Sequence, residues 1–130
     1  MRLRDTYYKE WSAHYGADTA SFHVELLPDC DVYRGHFPGH PVCPGVCNMG
    51  MLKECMEEAV GCRLVIDTIK QCRMTAVASP ETCSELDIQM HIQRLGESRW
   101  AVQAKLVDTE RTYMEYKGEM KKKCIEAHEV

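Results

Sequence analysis

The stretch Tyr33-Arg34-Gly35-His36-Phe37-Pro38-Gly39-His40-Pro41-Val42-Cys43-Pro44-Gly45-Val46 alternates glycine and proline around two histidines. Proline fixes φ, and glycine opens backbone angles that other residues avoid. The alternation therefore holds His36 in a set orientation, at a bend the chain would not otherwise choose. A periodic apolar run follows at once. Val46, Met49, Leu52, Met56, Ala59 and Val60 recur at helical spacing, and Gly61 stands where a helix would stop. This pattern predicts a largely buried helix that begins at Pro44-Gly45 and reaches Val60. The first N–H groups of a helix lack partners and lie at the positive end of its macrodipole. An oxyanion developing beside Gly45 and Val46 is stabilised there. His36, whose imidazole titrates near neutral pH, is a candidate base close by in the chain.

Upstream, Tyr8, Trp11 and Tyr15 fit a short helix over 7–15, and the same segment serves equally as one half of a hairpin. Ser21 to Leu26 alternates as a strand after the turn-prone Gly16-Ala17-Asp18, and Leu27-Pro28-Asp29 closes it. Downstream, Arg63 to Ala78 carries Leu64, Val65, Ile66, Ile69 and Val77 and ends at Ser79-Pro80-Glu81, which predicts a long, bent strand. Leu86, Ile88, Met90 and Ile92 alternate with polar residues in the clearest strand of the chain. Turns at 95–98 and 108–110 then lead to strands carrying Trp100, Val102, Ala104 and Leu106, and Thr112, Met114, Tyr116 and Met120, so the last three strands form a meander. One long apolar helix followed by antiparallel strands predicts an α+β layout, a sheet wrapped on a helix.

The 130 residues are expected to form one domain, 1–130, large enough for a core but small for an enclosed site within one subunit, so oligomerisation is expected. The net charge of −4 provides no general basic field, which argues against nucleic acid as the main partner. Met1-Arg2-Leu3-Arg4-Asp5 opens no apolar signal region, and no run approaches the ~18 apolar residues of a membrane span, so a cytoplasmic protein is expected. Eight cysteines are scattered through apparent helix and strands and read as reduced core residues. His36, His40, Cys43 and Cys47 invite a zinc reading, but no C-x-x-C pair accompanies them, and no metal is expected. Lys121-Lys122-Lys123 is read as a solubilising, pairing-resistant strand end before it is read as a contact for an acidic carrier.

Gly35 to Val46, G-H-F-P-G-H-P-V-C-P-G-V, resembles without a gap the signature of the 3-hydroxyacyl-acyl carrier protein dehydratases, G-H-F-P-x-x-P-x-x-P-G-V. These are the FabA/FabZ group of hotdog-fold enzymes. The resemblance implies the hotdog fold, an antiparallel sheet around one long central helix. It also implies a hydro-lyase converting a 3-hydroxyacyl thioester, on acyl carrier protein or coenzyme A, to the trans-2-enoyl product in fatty acid or related acyl-chain synthesis. It makes His36 the base and the Gly45 N–H the oxyanion donor, with Val46 and Phe37 at the substrate. It needs no cofactor, places the site between two subunits of a homodimer or larger homo-oligomer, and lays the acyl chain along the helix and sheet.

Dehydration also needs an acid for the departing hydroxyl. The resembling family carries Glu or Asp on the helix fourteen residues after the histidine, where this chain has Gly50. Glu54 is the candidate replacement, one turn on and on the same face, its side chain leaning back over the space Gly50 leaves empty. Against that role, one turn is a rise of about 5.4 Å, and Glu54, Glu57 and Glu58 also read as a polar helix face. Asn48 orients a water at best, Cys47 is an ordinary thiol, and His40 reads as a loop or interface residue. Two other functions stay open: an acyl-thioester-binding or partner subunit that lost the acid, and a hotdog thioesterase in which His36 or Glu54 activates water.

Overall fold

The computed structural model describes residues 2–34 and 41–124. Six strands and one long helix follow in the order β1 (Tyr8–Tyr15), β2 (Thr19–Leu26), α1 (Gly45–Val60), β3 (Leu64–Met74), β4 (Glu85–Arg94), β5 (Arg99–Val107) and β6 (Thr112–Lys122), with a short 3₁₀ turn at Asp31–Tyr33. The strands form one sheet in the order β1-β2-β4-β5-β6-β3, and every neighbouring pair is antiparallel. The α+β layout read from the sequence is the one observed, with β4, β5 and β6 as its meander.

Alternation decides which face of the sheet meets the helix. In β2 the residues Ala20, Phe22, Val24 and Leu26 are buried, with Leu86, Ile88 and Met90 on β4 and Trp100, Val102, Ala104 and Leu106 on β5. They join Met51, Leu52, Cys55 and Met56 of α1 in one core. Burying a side chain of this size contributes roughly 1.5–3 kcal/mol, so this shared face dominates the fold's stability. At its far end the helix closes on Gly61, whose φ of 79° is left-handed and whose N–H reaches the Glu57 carbonyl at 2.8 Å.

Residues 8–15 form strand, not helix. The segment is held at both ends: the Tyr8 strand start pairs opposite Leu26, and a turn closed by Gly16 N–H to Thr19 O, 2.9 Å, returns the chain into β2. Trp11, 56% exposed, sits where the register slips between Glu10 and Ser12. Helical spacing of Tyr8, Trp11 and Tyr15 was therefore coincidental, and pairing with β2 outweighs it.

The expected strand over 63–78 ends earlier, at Met74. Thr75 and Ala76 donate to the Tyr113 carbonyl at 3.0 and 3.4 Å, the chain then leaves β6, and the Ala78 carbonyl accepts the Cys43 N–H at 2.8 Å. The residues after β3 thus buttress the approach to α1. The strand is bent, as expected, by register shifts at Ile66/Thr68 and Ile69/Gln71. Gly118 on β6 is what permits the bend, because a Cβ there would collide with the Thr68 carbonyl oxygen. We predict that Gly118→Ala destabilises the protein by about 1–3 kcal/mol, since the obstacle is backbone rather than a movable side-chain tip. A denaturant midpoint unchanged from wild type would contradict this packing.

Candidate functional site at the start of the central helix

Pro44 caps α1 without a side-chain hydrogen bond, and its carbonyl accepts both the Cys47 and the Asn48 N–H at 3.1 Å. The Gly45 and Val46 N–H groups precede these and have no hydrogen-bond partner among the described residues. Glycine at 45 lets Met74 of β3 approach: a Cβ there would stand 2.8 Å from the Met74 Cε. Val46 (71% exposed) and Met74 (49%) leave apolar surface open at this helix start, and exposed Val77 (67%) precedes Ala78, whose carbonyl meets Cys43.

A buried polar network holds the helix start in place. The Tyr7 hydroxyl donates to Asn48 Oδ1 at 2.7 Å, Tyr7 stacks on Tyr33 with ring centroids 6.2 Å apart, and the Tyr33 hydroxyl lies 3.4 Å from Cys43 Sγ. Burial pushes both tyrosines far above their ordinary range and also raises the thiols of Cys43 and Cys47. These groups stay protonated at neutral pH, so neither cysteine is a ready nucleophile. Asn48, read from the sequence as a possible water-orienting group, instead has its side-chain oxygen engaged by Tyr7. Nothing in the sequence marked Tyr7 or Tyr33 for this work, because their partners lie 41 and 10 residues away.

His36, Phe37 and His40 lie outside the described residues. Gly45 and Val46 are placed at the helix start as expected. The surroundings of Glu54 differ from the sequence reading. The space at Gly50 is not empty, because Leu3 fills it: its Cδ1 lies 2.7 Å from where a Cβ on Gly50 would stand. Glu54 is turned to the same N-terminal turn, its two carboxylate oxygens accepting the Leu3 N–H at 2.7 Å and the Arg4 N–H at 2.9 Å, with the Tyr8 hydroxyl at 3.2 Å. The other two glutamates of the helix are engaged as well. Glu57 accepts the Leu64 N–H at 2.8 Å, and Glu58 accepts from Arg4 at 2.7 Å and from the Tyr15 hydroxyl at 3.0 Å. Apolar Leu3 in a glycine gap is a contact that helical periodicity alone does not reveal.

One surface depression, about 470 Å³, lies away from the helix start. It lies across β3–β6 and β4, against Gln89, His91, Gln103, Lys105 and Lys117, and shares no residue with the surroundings of Gly45. No helix among the described residues is long and apolar enough to cross a membrane.

With this geometry in hand, comparison with known proteins is informative. The chain resembles a subunit of the ApeI:P dehydratase heterocomplex of Xenorhabdus doucetiae, with a TM-score of 0.69 at 18% identity over 88% of this chain and 97% of that one. It also resembles the PaaI protein of the Escherichia coli phenylacetic acid degradation operon, with a TM-score of 0.64 at 11% identity over 94% and 83% of the two chains. A third likeness is the HP0420 homologue of Helicobacter felis, with a TM-score of 0.65 at 12% identity over 92% and 90%. At these identities the likenesses establish the fold, which is the hotdog fold. No curated protein sequence matches the chain. The model of the ApeI-like family, described as ApeI dehydratase, matches residues 12–115, and the chain belongs to that family of dehydratases.

Proposed function

We propose that the protein is a hydro-lyase acting on a 3-hydroxyacyl thioester carried by acyl carrier protein or coenzyme A, in fatty acid or related acyl-chain synthesis. The observation that carries this reading is the pair of N–H groups at Gly45 and Val46, which have no hydrogen-bond partner among the described residues and end the ungapped G-H-F-P-G-H-P-V-C-P-G-V stretch. His36 removes the proton α to the thioester carbonyl, and the helix start stabilises the enolate oxygen, the larger part of such catalysis. Phe37 and Val46 contact the acyl group. The reaction uses no cofactor, and the eight free cysteines suit a reducing cytoplasm.

Glu54 serves in this reading as the anchor of the N-terminal turn, because its carboxylate already holds two backbone N–H groups and a tyrosine hydroxyl. The acid for the departing hydroxyl then comes across a subunit interface. The exposed apolar residues Val46, Met74 and Val77, beside the open edge of β3, favour a second subunit there, in a dimer or larger assembly. One observation favours a second reading: with Leu3 filling the space at Gly50, this chain is an acyl-thioester-binding subunit whose partner carries the chemistry. In the thioesterase reading, His36 activates water, since the Glu54 carboxylate is already engaged.

Hydration and dehydration of crotonyl and 3-hydroxybutyryl thioesters, on carrier protein and on coenzyme A, separate these readings. We predict turnover by wild type and its loss by about 10²–10⁴-fold in His36→Ala, the usual contribution of a general base. Wild type that binds the thioesters and turns none over supports the partner-subunit reading instead. For Glu54→Gln we predict turnover near wild type with a melting temperature lowered by a few degrees, as expected for about 1 kcal/mol of lost charge-assisted hydrogen bonding. Turnover abolished at an unchanged melting temperature would restore Glu54 as the acid.

A further inference from the structure

The N-terminal turn is fastened to α1 by a group of charges separate from the helix start. Arg4 reaches Glu58 of α1 at 2.7 Å and Glu10 of β1 at 3.5 Å, and the Tyr15 hydroxyl donates to the second Glu58 oxygen at 3.0 Å. The Glu10 and Glu58 side chains are only 12% and 28% exposed. One guanidinium therefore faces two carboxyl groups in a largely desolvated place. Tyr8, Cys55 and Glu54 complete the ionisable groups around them, and none of these supplies a second positive charge. Val24, the β2 residue opposite Glu10, is apolar. Like charges that share so little solvent do not both ionise freely, and a shared proton relieves them.

We propose that Arg4, Glu10, Glu58 and Tyr15 form a proton-controlled clasp. With one proton shared between the two carboxyls, it holds the N-terminal turn, and with it Leu3, against Gly50; when that proton leaves, it loosens. This device stands independently of whether the chain is catalytic. Leu3 and Arg4 are also held by Glu54, so loosening shifts the balance of the turn without freeing the whole N-terminal strand.

The direction with pH follows from the two carboxyls separately. Burial and then the adjoining Glu58 carboxyl raise Glu10 from 4.5 to about 7, more than Arg4 lowers it. A raised group contributes stability that is full below pH 4.5 and is lost as pH rises through about 7. Burial acts to raise Glu58 too, but hydrogen bonds from Glu10, Tyr15 and Arg4 outweigh it and hold Glu58 below 4.5. Its contribution is lost only as pH falls below that value, so Glu10 governs the range between pH 6 and 8.

The test is hydrogen exchange of the Leu3 and Arg4 amides in the full chain at pH 6 and pH 8, corrected for intrinsic exchange, in wild type and Glu10→Gln, whose side chain copies the protonated form. Protection in wild type is expected to fall by up to about tenfold over this range, the effect of one unit of pH on a group titrating within it, and to stay level in Glu10→Gln. Glu10→Gln that keeps the wild-type fall overturns the clasp. Carboxyl ¹³C titration of wild type reports without any substitution: a Glu10 midpoint near neutrality supports the clasp, and one at the ordinary carboxyl value overturns it. Comparing the two proteins cancels the other groups that titrate here, chief among them His23, which its bonds to Glu85 and Asp87 raise.

Discussion

The constraint on which the molecule depends is the covering of α1. A helix that presents apolar residues on more than one side must be covered on more than one side. The sheet covers the face carrying Met51, Leu52, Cys55 and Met56. The N-terminal turn covers the face carrying Gly50, Glu54 and Glu58. Among the described residues, Val46 alone on the helix stays exposed. Openness at the helix start is thus the residue of two coverings, and the buried Tyr7–Asn48 and Tyr33–Cys43 contacts keep it from collapsing inward.

Electrostatics divides the helix in the same way. Its first turn carries no acidic residue, so the positive end of the dipole is not offset by a side chain of its own. Its second half carries three glutamates, each already engaged: Glu54 by backbone N–H groups, Glu57 by the Leu64 N–H and Glu58 by Arg4 and Tyr15. The helix start has no side-chain partner among the described residues, while the glutamates fasten neighbouring segments.

Much of the fold was legible because it rests on local periodicity. The helix between Pro44 and Gly61 and the three strands of the meander follow from apolar spacing and turn residues that lie next to one another in the chain. The first strand was ambiguous, since Tyr8, Trp11 and Tyr15 satisfy a helical spacing, and only β2, reached after a turn, decides between the two. The end of β3 was misjudged because Val77 extends the apolar pattern past the point where Ala78 leaves to meet Cys43. At the site, the helix start could be read from the prolines and glycines around it. The setting of Glu54 could not, because Leu3 and Arg4 stand about fifty residues upstream and no local pattern links them to Gly50.

That contact makes positions 3 and 50 a single unit of change. Leu3 Cδ1 occupies the volume that a Cβ at position 50 would need, so a side chain placed there must first displace that leucine side chain. Substitutions at position 50 and in the segment before β1 therefore act on one shared contact, and their effects on stability are not additive.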